Sequence, residues 1–220
     1  MPTEWRSSVS LVDQTAELIR ERIFTGYYPP GVRLPQALLS SELGISRTPL
    51  REGLRILEQE GLVIASAGGV ATVFSPGIGE MREIFELREA LEGMSVRLAC
   101  SRVTPGILSD LHQVVADQHR AQESGQSERF HRLGLHFHTL LLDASGNSRI
   151  RRQLSVVRLG EQLLGGAGLM TTDAARAALR EHAAIVDAIR DSDPGRAEQA
   201  SLRHLQSDLL RLSRSRGVAA

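Results

Sequence analysis

Between Ser75 and Gly79 the chain reads Ser-Pro-Gly-Ile-Gly, and this run of breakers divides it into two stretches of different texture. A proline and two glycines this close together interrupt any helical ladder and suit a linker. Before the run lie short helical patterns and two short strand-like segments, and after it come only long amphipathic helical patterns. The division predicts domains at residues 1–76 and 77–220 and a mainly α fold class. A chain of 220 residues is long enough to bury two modest cores.

In the first stretch, Val12, Ala16, Ile19 and Ile23 fall on one face of a helix predicted over 9–25. Gly26-Tyr27-Tyr28-Pro29-Pro30-Gly31 stops it. A short helix over 36–43 buries Leu39 and Leu43. Gly44 then breaks the pattern, Ile45 turns inward, and the Ser46 hydroxyl is placed to cap a third helix that runs to Glu60. Pro49 falls in the first turn of that helix, where its missing N–H costs nothing. Residues 62–64 and 70–74 are strand-like, joined by Ala65-Ser66-Ala67-Gly68-Gly69. Three helices followed by a β-hairpin is the order of a winged helix-turn-helix.

The second stretch reads as an all-helical bundle of six segments, at 80–102, 104–124, 127–145, 147–165, 171–191 and 194–215. Gly125, Gly146, Gly165-Gly166 and Asp193-Pro194-Gly195 supply the breaks. In the first segment Ile84, Leu87, Leu91, Met94 and Leu98 recur at three- and four-residue spacing and predict a buried stripe. Asn147 is placed to cap the segment that follows Gly146.

The turn Leu43-Gly44-Ile45-Ser46 leads into a helix on which Arg47, Arg51 and Arg55 form one stripe and Leu50, Leu54 and Leu57 the neighbouring one. Such a helix can sit on a small core and project guanidinium groups into a DNA major groove, to read guanine or clamp phosphate. The formal net charge is zero, so charge for a nucleic acid has to be local. The sequence contains no lysine, so every cationic contact comes from a guanidinium or an imidazole. The lone Cys100 excludes an internal disulfide framework and fits a reducing cytosol. No segment approaches the apolar length of a membrane span or a signal-peptide core, which points to a cytoplasmic protein with no membrane partner.

The run LSSELGISRTPLREGLRILEQEGLV, preceded by GYYPPGVRL, resembles the winged helix of the GntR family of bacterial transcriptional regulators. ELREALE, FHTLLLDASGN and EHAAIVDAIRDSDPGRAEQASLRHL resemble the FCD effector domain of its FadR-like branch. The resemblance implies base and phosphate contacts by Arg47 and Arg51, backbone contacts by Ser46 and Thr48, and approach of Gly69, at the hairpin tip, to the minor groove. Relatives often carry a charged residue where this chain has Ala37, so an operator sequence does not transfer from them.

Among seven histidines, His112, His119, His131 and His136 match no motif and read as surface or incidental core residues. His138, His182 and His204 lie on three different predicted helices, and spacing alone does not cluster them. His182 shares an apolar stripe with Leu179, Val186 and Ile189, and an imidazole on such a face needs a partner or a metal. Similarity to the FCD domain implies that these three histidines hold a divalent metal, zinc or nickel. The family pattern also has an aspartate four residues before the first histidine, where this chain has Gly134. The missing anion leaves a position that a carboxylate effector can take, and an aspartate restored there is expected to tighten the metal. The competing reading is a metal-free pocket whose histidines bind the effector directly. Arg88 matches the family arginine facing the effector cavity; its rival role is an ion pair with Glu92 or Glu89.

Together these features predict a non-enzymatic regulator, a homodimeric repressor that binds operator DNA and a small organic acid. A metal-sensing regulator is the alternative. A metal-dependent hydrolase would need a placed nucleophile or base, for which the sequence offers no motif.

Overall fold

The structure, a computed structural model, describes residues 10–66, 68–165 and 171–215. Val9, Ala67 and Gly166, expected at a helix start, in the hairpin loop and at a helix break, lie outside the described residues. The chain forms two compact units, Met1–Pro76 and Gly77–Ala220.

In the first unit, α1 (Leu11–Phe24), α2 (Gln36–Leu43) and α3 (Arg47–Gln59) precede a hairpin of β2 (Val63–Ser66) and β3 (Val70–Val73). A further strand, β1 (Arg33–Pro35), adds to β3 on the side away from β2, so the sheet has three strands in the order β1-β3-β2, all antiparallel. A three-residue strand containing a proline carries no period of its own; its pairing of Leu34 with Ala71 comes from β3. Ala16, Ile19, Leu50, Leu57, Leu62 and Val73 are buried and form the core of the unit. The approach of α1 to α3 is close enough to need a glycine. A Cβ on Gly53 would stand 3.1 Å from Thr15 Cγ2 and 3.2 Å from the Ala16 backbone nitrogen.

The second unit is helical throughout its described residues: α4 (Ile78–Arg102), α5 (Pro105–Glu123), α6 (Ser127–Ala144), α7 (Ser148–Arg151), α8 (Leu154–Leu164), α9 (Thr172–Arg190) and α10 (Pro194–Ser215). The expected helix over 147–165 is therefore two. Between them the Gln153 N–H donates to Ile150 O and the Val156 N–H to Gln153 O, tight three-residue closures that end one helix and start the next. Asn147 does cap α7, accepting from the Arg149 and Ile150 N–H groups. Val96, Ala99, Leu111, Phe137, Leu141 and Ile185 centre an apolar cluster where α4, α5, α6, α9 and α10 meet.

The expected buried stripe of α4 is a correction. Leu87 and Met94 are each 47 % exposed, whereas Met81, Phe85, Arg88, Glu92, Val96 and Ala99 face inward. Both stripes repeat at three and four residues, so periodicity alone cannot choose between them. The inward one carries an ion pair that hydropathy reads as surface. Among the described residues no helix is long and apolar enough to cross a membrane.

Candidate functional site

The turn between α2 and α3 is held by its own backbone. Gly44 adopts φ 66°, the left-handed conformation that ends α2, and the Ile45 N–H donates to Ser40 O at 3.1 Å. The Ser40 hydroxyl donates back to Ile45 O at 2.5 Å. From that turn α3 buries Leu50, Leu54 and Leu57 and exposes Arg47, Arg51 and Arg55. Glu52 stands between the latter two, 3.4 Å from Arg51 Nε and 3.6 Å from Arg55 Nη1. Ser46 occupies the cap position, but its hydroxyl makes no capping hydrogen bond, contrary to expectation; it is exposed, as is Thr48. Ala37 on α2 is exposed too. Gly69 has φ 74° at the hairpin turn, and its carbonyl accepts from the Gln36 N–H at 3.0 Å, tying the turn to the start of α2.

In the helical unit, His138 on α6, His182 on α9 and His204 on α10 converge, all buried. The Nε2 atoms of His182 and His204 are 3.2 Å apart, those of His204 and His138 3.3 Å, and one nitrogen from each lies within 4.8 Å of the others. For a metal about 2.0–2.1 Å from each nitrogen in a tetrahedral array, ligand nitrogens stand about 3.3–3.4 Å apart. Phe137 stacks on His182, with ring centroids 4.1 Å apart, and fixes its plane.

Each ring is oriented from behind. Nδ1–H of His138 donates to Glu92 Oε2 at 2.6 Å, that of His182 to Gln118 Oε1 at 2.8 Å, and that of His204 to Glu181 Oε2 at 2.8 Å. These partners put the proton on Nδ1 and leave three Nε2 lone pairs pointing at one another, the arrangement that outer partners impose on metal-ligating imidazoles. Facing lone pairs repel unless a cation or a proton lies between them. Burial pushes His182 well below its ordinary pKa, helped by the charges of His204 and His138. Burial pulls on His204 in the same direction, but Asp208 and Glu181 outweigh it and raise that group.

The surrounding charge is unbalanced. Among the described residues Glu92, Glu161, Glu181 and Asp208 face two guanidinium groups, Arg88 and Arg211, which with neutral imidazoles is a surplus of two negative charges that one divalent cation cancels. The room among the three histidines, Gly134, Glu161 and Asp208 measures about 20 Å³. That is space for one water or one ion. By ligand type, spacing, orientation and charge, the residues fit a divalent metal.

Arg88 is fully buried behind this cavity. Its Nε donates to Glu92 at 2.7 Å and its Nη2 to Glu161 at 2.9 Å, so the ion pair with Glu92 that was its rival role is present. It does not line the cavity, which Gly134 does. Glu161 reaches the space beside Gly134: a Cβ on that glycine would stand 3.4 Å from Glu161 Oε2. The expectation that an aspartate at 134 simply adds a missing anion therefore needs correcting, because a carboxylate already stands there.

Sequence reasoning missed Glu161, Gln118, Glu181 and Asp208, and it set aside His131, which also lines the cavity. Asp208 was detectable four residues beyond His204, on the same helical face. Glu161 left no signal, since it arrives from a helix whose start the sequence misplaced.

Comparison with known proteins places both units. The family described as "Bacterial regulatory proteins, gntR family" matches residues 11–73, and the FCD domain matches residues 83–207. YdhC of Bacillus subtilis (strain 168), an HTH-type transcriptional regulator, is 28% identical over 191 residues, 86% of this chain and 85% of its own. A Paenarthrobacter nicotinovorans protein named "Probable D-xylose utilization operon transcriptional repressor" is 25% identical over 209 residues, 94% of this chain and 91% of its own. Among solved structures, E. coli McbR/YncC superimposes with a TM-score of 0.84 at 24% identity, over 94% of this chain and 99% of that one. A GntR regulator from Rhodococcus sp. RHA1 gives 0.77 at 22% identity, over 93% of this chain and 98% of that one. With a winged helix in its first unit and an FCD domain filling most of its second, this chain is a transcriptional regulator of the gntR family.

Proposed function

We propose that the chain is a cytoplasmic repressor that binds operator DNA as a homodimer and responds to a small ligand at its three-histidine centre. The convergence of the His138, His182 and His204 Nε2 atoms on one ion-sized space carries the reading. Arg47 and Arg51 contact bases and phosphate, Ser46 and Thr48 contact the DNA backbone with hydroxyls left exposed, and Gly69 brings the wing to the minor groove. The repressor assignment rests on the printed name of the P. nicotinovorans relative.

A divalent metal, zinc or nickel, held by His138, His182 and His204 would offer a positive point to which a carboxylate binds. The chain's own residues prepare that point. Glu92, Gln118 and Glu181 aim the three imidazoles, and the buried Gln118 Nε2, which has no hydrogen-bond partner among the described residues, offers a donor to an incoming oxygen. Arg88 supplies positive charge from behind, through Glu92 and Glu161. A response follows when the ligand favours one dimer geometry over the other.

A second reading, that the metal itself is the signal, draws support from the size of the cavity. Its 20 Å³ accepts an ion but no organic acid unless side chains withdraw. All the named relatives are regulators, which favours sensing over metal-dependent hydrolysis.

Operator binding, followed by fluorescence anisotropy on protein of known metal content, tests these readings. A small carboxylic acid that shifts the affinity of zinc-loaded protein, with no shift after chelation, supports the metal-dependent effector reading. A shift on chelation alone identifies metal sensing. Protein that takes up no divalent metal and still responds to the acid overturns the metal and leaves the histidines as direct effector contacts.

A further inference from the structure

The geometry points to Glu161 as the fourth, anionic ligand of the three-histidine centre, filling the space that Gly134 leaves, with Arg88 as its positioning residue. The inference rests on the metal reading above.

Three neutral imidazoles leave a bound divalent ion with both its charges in a buried site, and an ion so placed needs an anion nearby. Two carboxylates border the Nε2 face. Glu161 Oε1 is 3.4 Å from His138 Nε2, and Asp208 Oδ2 is 3.4 Å from His204 Nε2. Each matches the separation of neighbouring ligands around a tetrahedral ion.

The backbone around them separates the two. Gly134 lies one turn before His138 on α6; a Cβ there would be in ordinary contact with Glu161 Oε2 at 3.4 Å and Gln118 Nε2 at 3.7 Å, and a longer side chain would compete with the carboxylate for that space. The glycine leaves that space to the Glu161 carboxylate and the Gln118 amide. Gly160, next to Glu161 in the chain, makes room for Arg88 instead, which lies against its backbone where a Cβ would stand 2.5 Å from Arg88 Cδ. Glu161 is held between the Arg88 guanidinium and the His138 imidazole, on the edge of the ion-sized space. Asp208 borders the same space, but Gly134, the glycine on that wall, adjoins Glu161 and not Asp208. It sits on the same helix as His204 and is clamped by Arg211.

Glu161 also does what the carboxylate of an organic acid would do at this centre, since it is at once an anion beside the metal position and a partner of Arg88. An external carboxylate then binds by displacing a tethered one, and its apparent affinity falls by the cost of that exchange.

The test is zinc affinity of the full chain, measured by competition with a chromophoric chelator, for the wild type and four variants: His182→Ala, Glu161→Gln, Asp208→Asn and Glu161→Gln with Gly134→Asp. Loss of a direct ligand is expected to weaken zinc in His182→Ala and Glu161→Gln by more than the roughly 10–100-fold that loss of an outer partner costs, and Asp208→Asn is expected to stay within that range. The double variant should recover most of the loss, because it returns an anion to the same space from the other side. Zinc binding by Glu161→Gln equal to wild type, with His182→Ala deficient, overturns the role of Glu161 and leaves the three-histidine site standing. Loss in Asp208→Asn with Glu161→Gln unaffected assigns the anion to Asp208 instead. Failure of the wild type to bind zinc at all overturns both levels.

Should Glu161→Gln not fold, a crystal structure of the zinc-loaded wild type decides the question. A Glu161 oxygen about 2.0–2.2 Å from the ion is expected. A water there, with Glu161 remaining on Arg88, overturns the proposal.

Discussion

Arg88 crosses α8 at Gly160, so closely that a methyl group on that glycine would stand 2.5 Å from Arg88 Cδ and 2.7 Å from Nη1. The contact binds α4 to α8 beneath the histidine cluster, and it is possible only because the α8 residue has no side chain. Gly160→Ala should therefore destabilise the helical unit by about 1–3 kcal/mol, the usual cost of overpacking. Urea denaturation followed by circular dichroism measures it; a variant as stable as wild type would mean that Arg88 relocates without penalty.

Glu92 gives the helical unit an acid-sensitive support. Burial alone would raise its carboxyl, but Arg88 and His138 outweigh burial and hold it at about 2, below the ordinary 4.5. A carboxyl with a depressed folded-state pKa contributes stability above its unfolded value and loses it as pH falls toward the folded one. Glu92→Gln should cost on the order of 3 kcal/mol near neutral pH, and the gap to wild type should narrow as pH falls from about 4.5 toward 2. Denaturation of the chelator-treated protein across that range reads the effect. A gap that stays constant would separate Glu92 from the acid response.

For DNA binding the prediction concerns two exposed guanidinium groups. Arg47→Ala should weaken operator binding by about 1–3 kcal/mol and relax base preference where the contact is bidentate to guanine. Arg51→Ala, if its contact is to phosphate, should weaken binding evenly across sequences and flatten the salt dependence. Anisotropy titrations at several salt concentrations distinguish the two, and unchanged affinity in both variants would remove α3 from the interface.

Leu87 and Met94, each 47 % exposed among the described residues and two turns apart on α4, form an apolar strip. A homodimer that covers it should dissociate when Leu87→Asp and Met94→Asp are combined, with helical content unchanged. Sedimentation velocity is the measurement. A variant that remains dimeric at the wild-type concentration range would place the interface elsewhere.

Much of this was legible beforehand. The breakers at Ser75–Gly79, the turn at Gly44 and the stripes of leucine and arginine on α3 are local signals, carried by backbone preference and a 3.6-residue period. The buried face of α9, with His182 among Leu179, Val186 and Ile189, was equally plain. The inward face of α4 was not. Arg88 and Glu92 read as surface by polarity, yet both are fully buried because each is paired and hydrogen-bonded in a site that a single helix cannot reveal.

The sequence by itself determined most of the helices and their order, because these depend on neighbours a few residues apart, whereas the three histidines were joined into a set only by the resemblance to a family. Tertiary structure decided which atoms of those residues meet. Strand β1 exists because β3 offers it hydrogen bonds, and Gly134 ceased to be a gap once α8 laid Glu161 beside it. His138 and His204 are 66 positions apart in the chain but 3.3 Å apart at Nε2. No period encodes such a distance; it follows from how α6, α9 and α10 pack and from the acceptors that turn each ring inward.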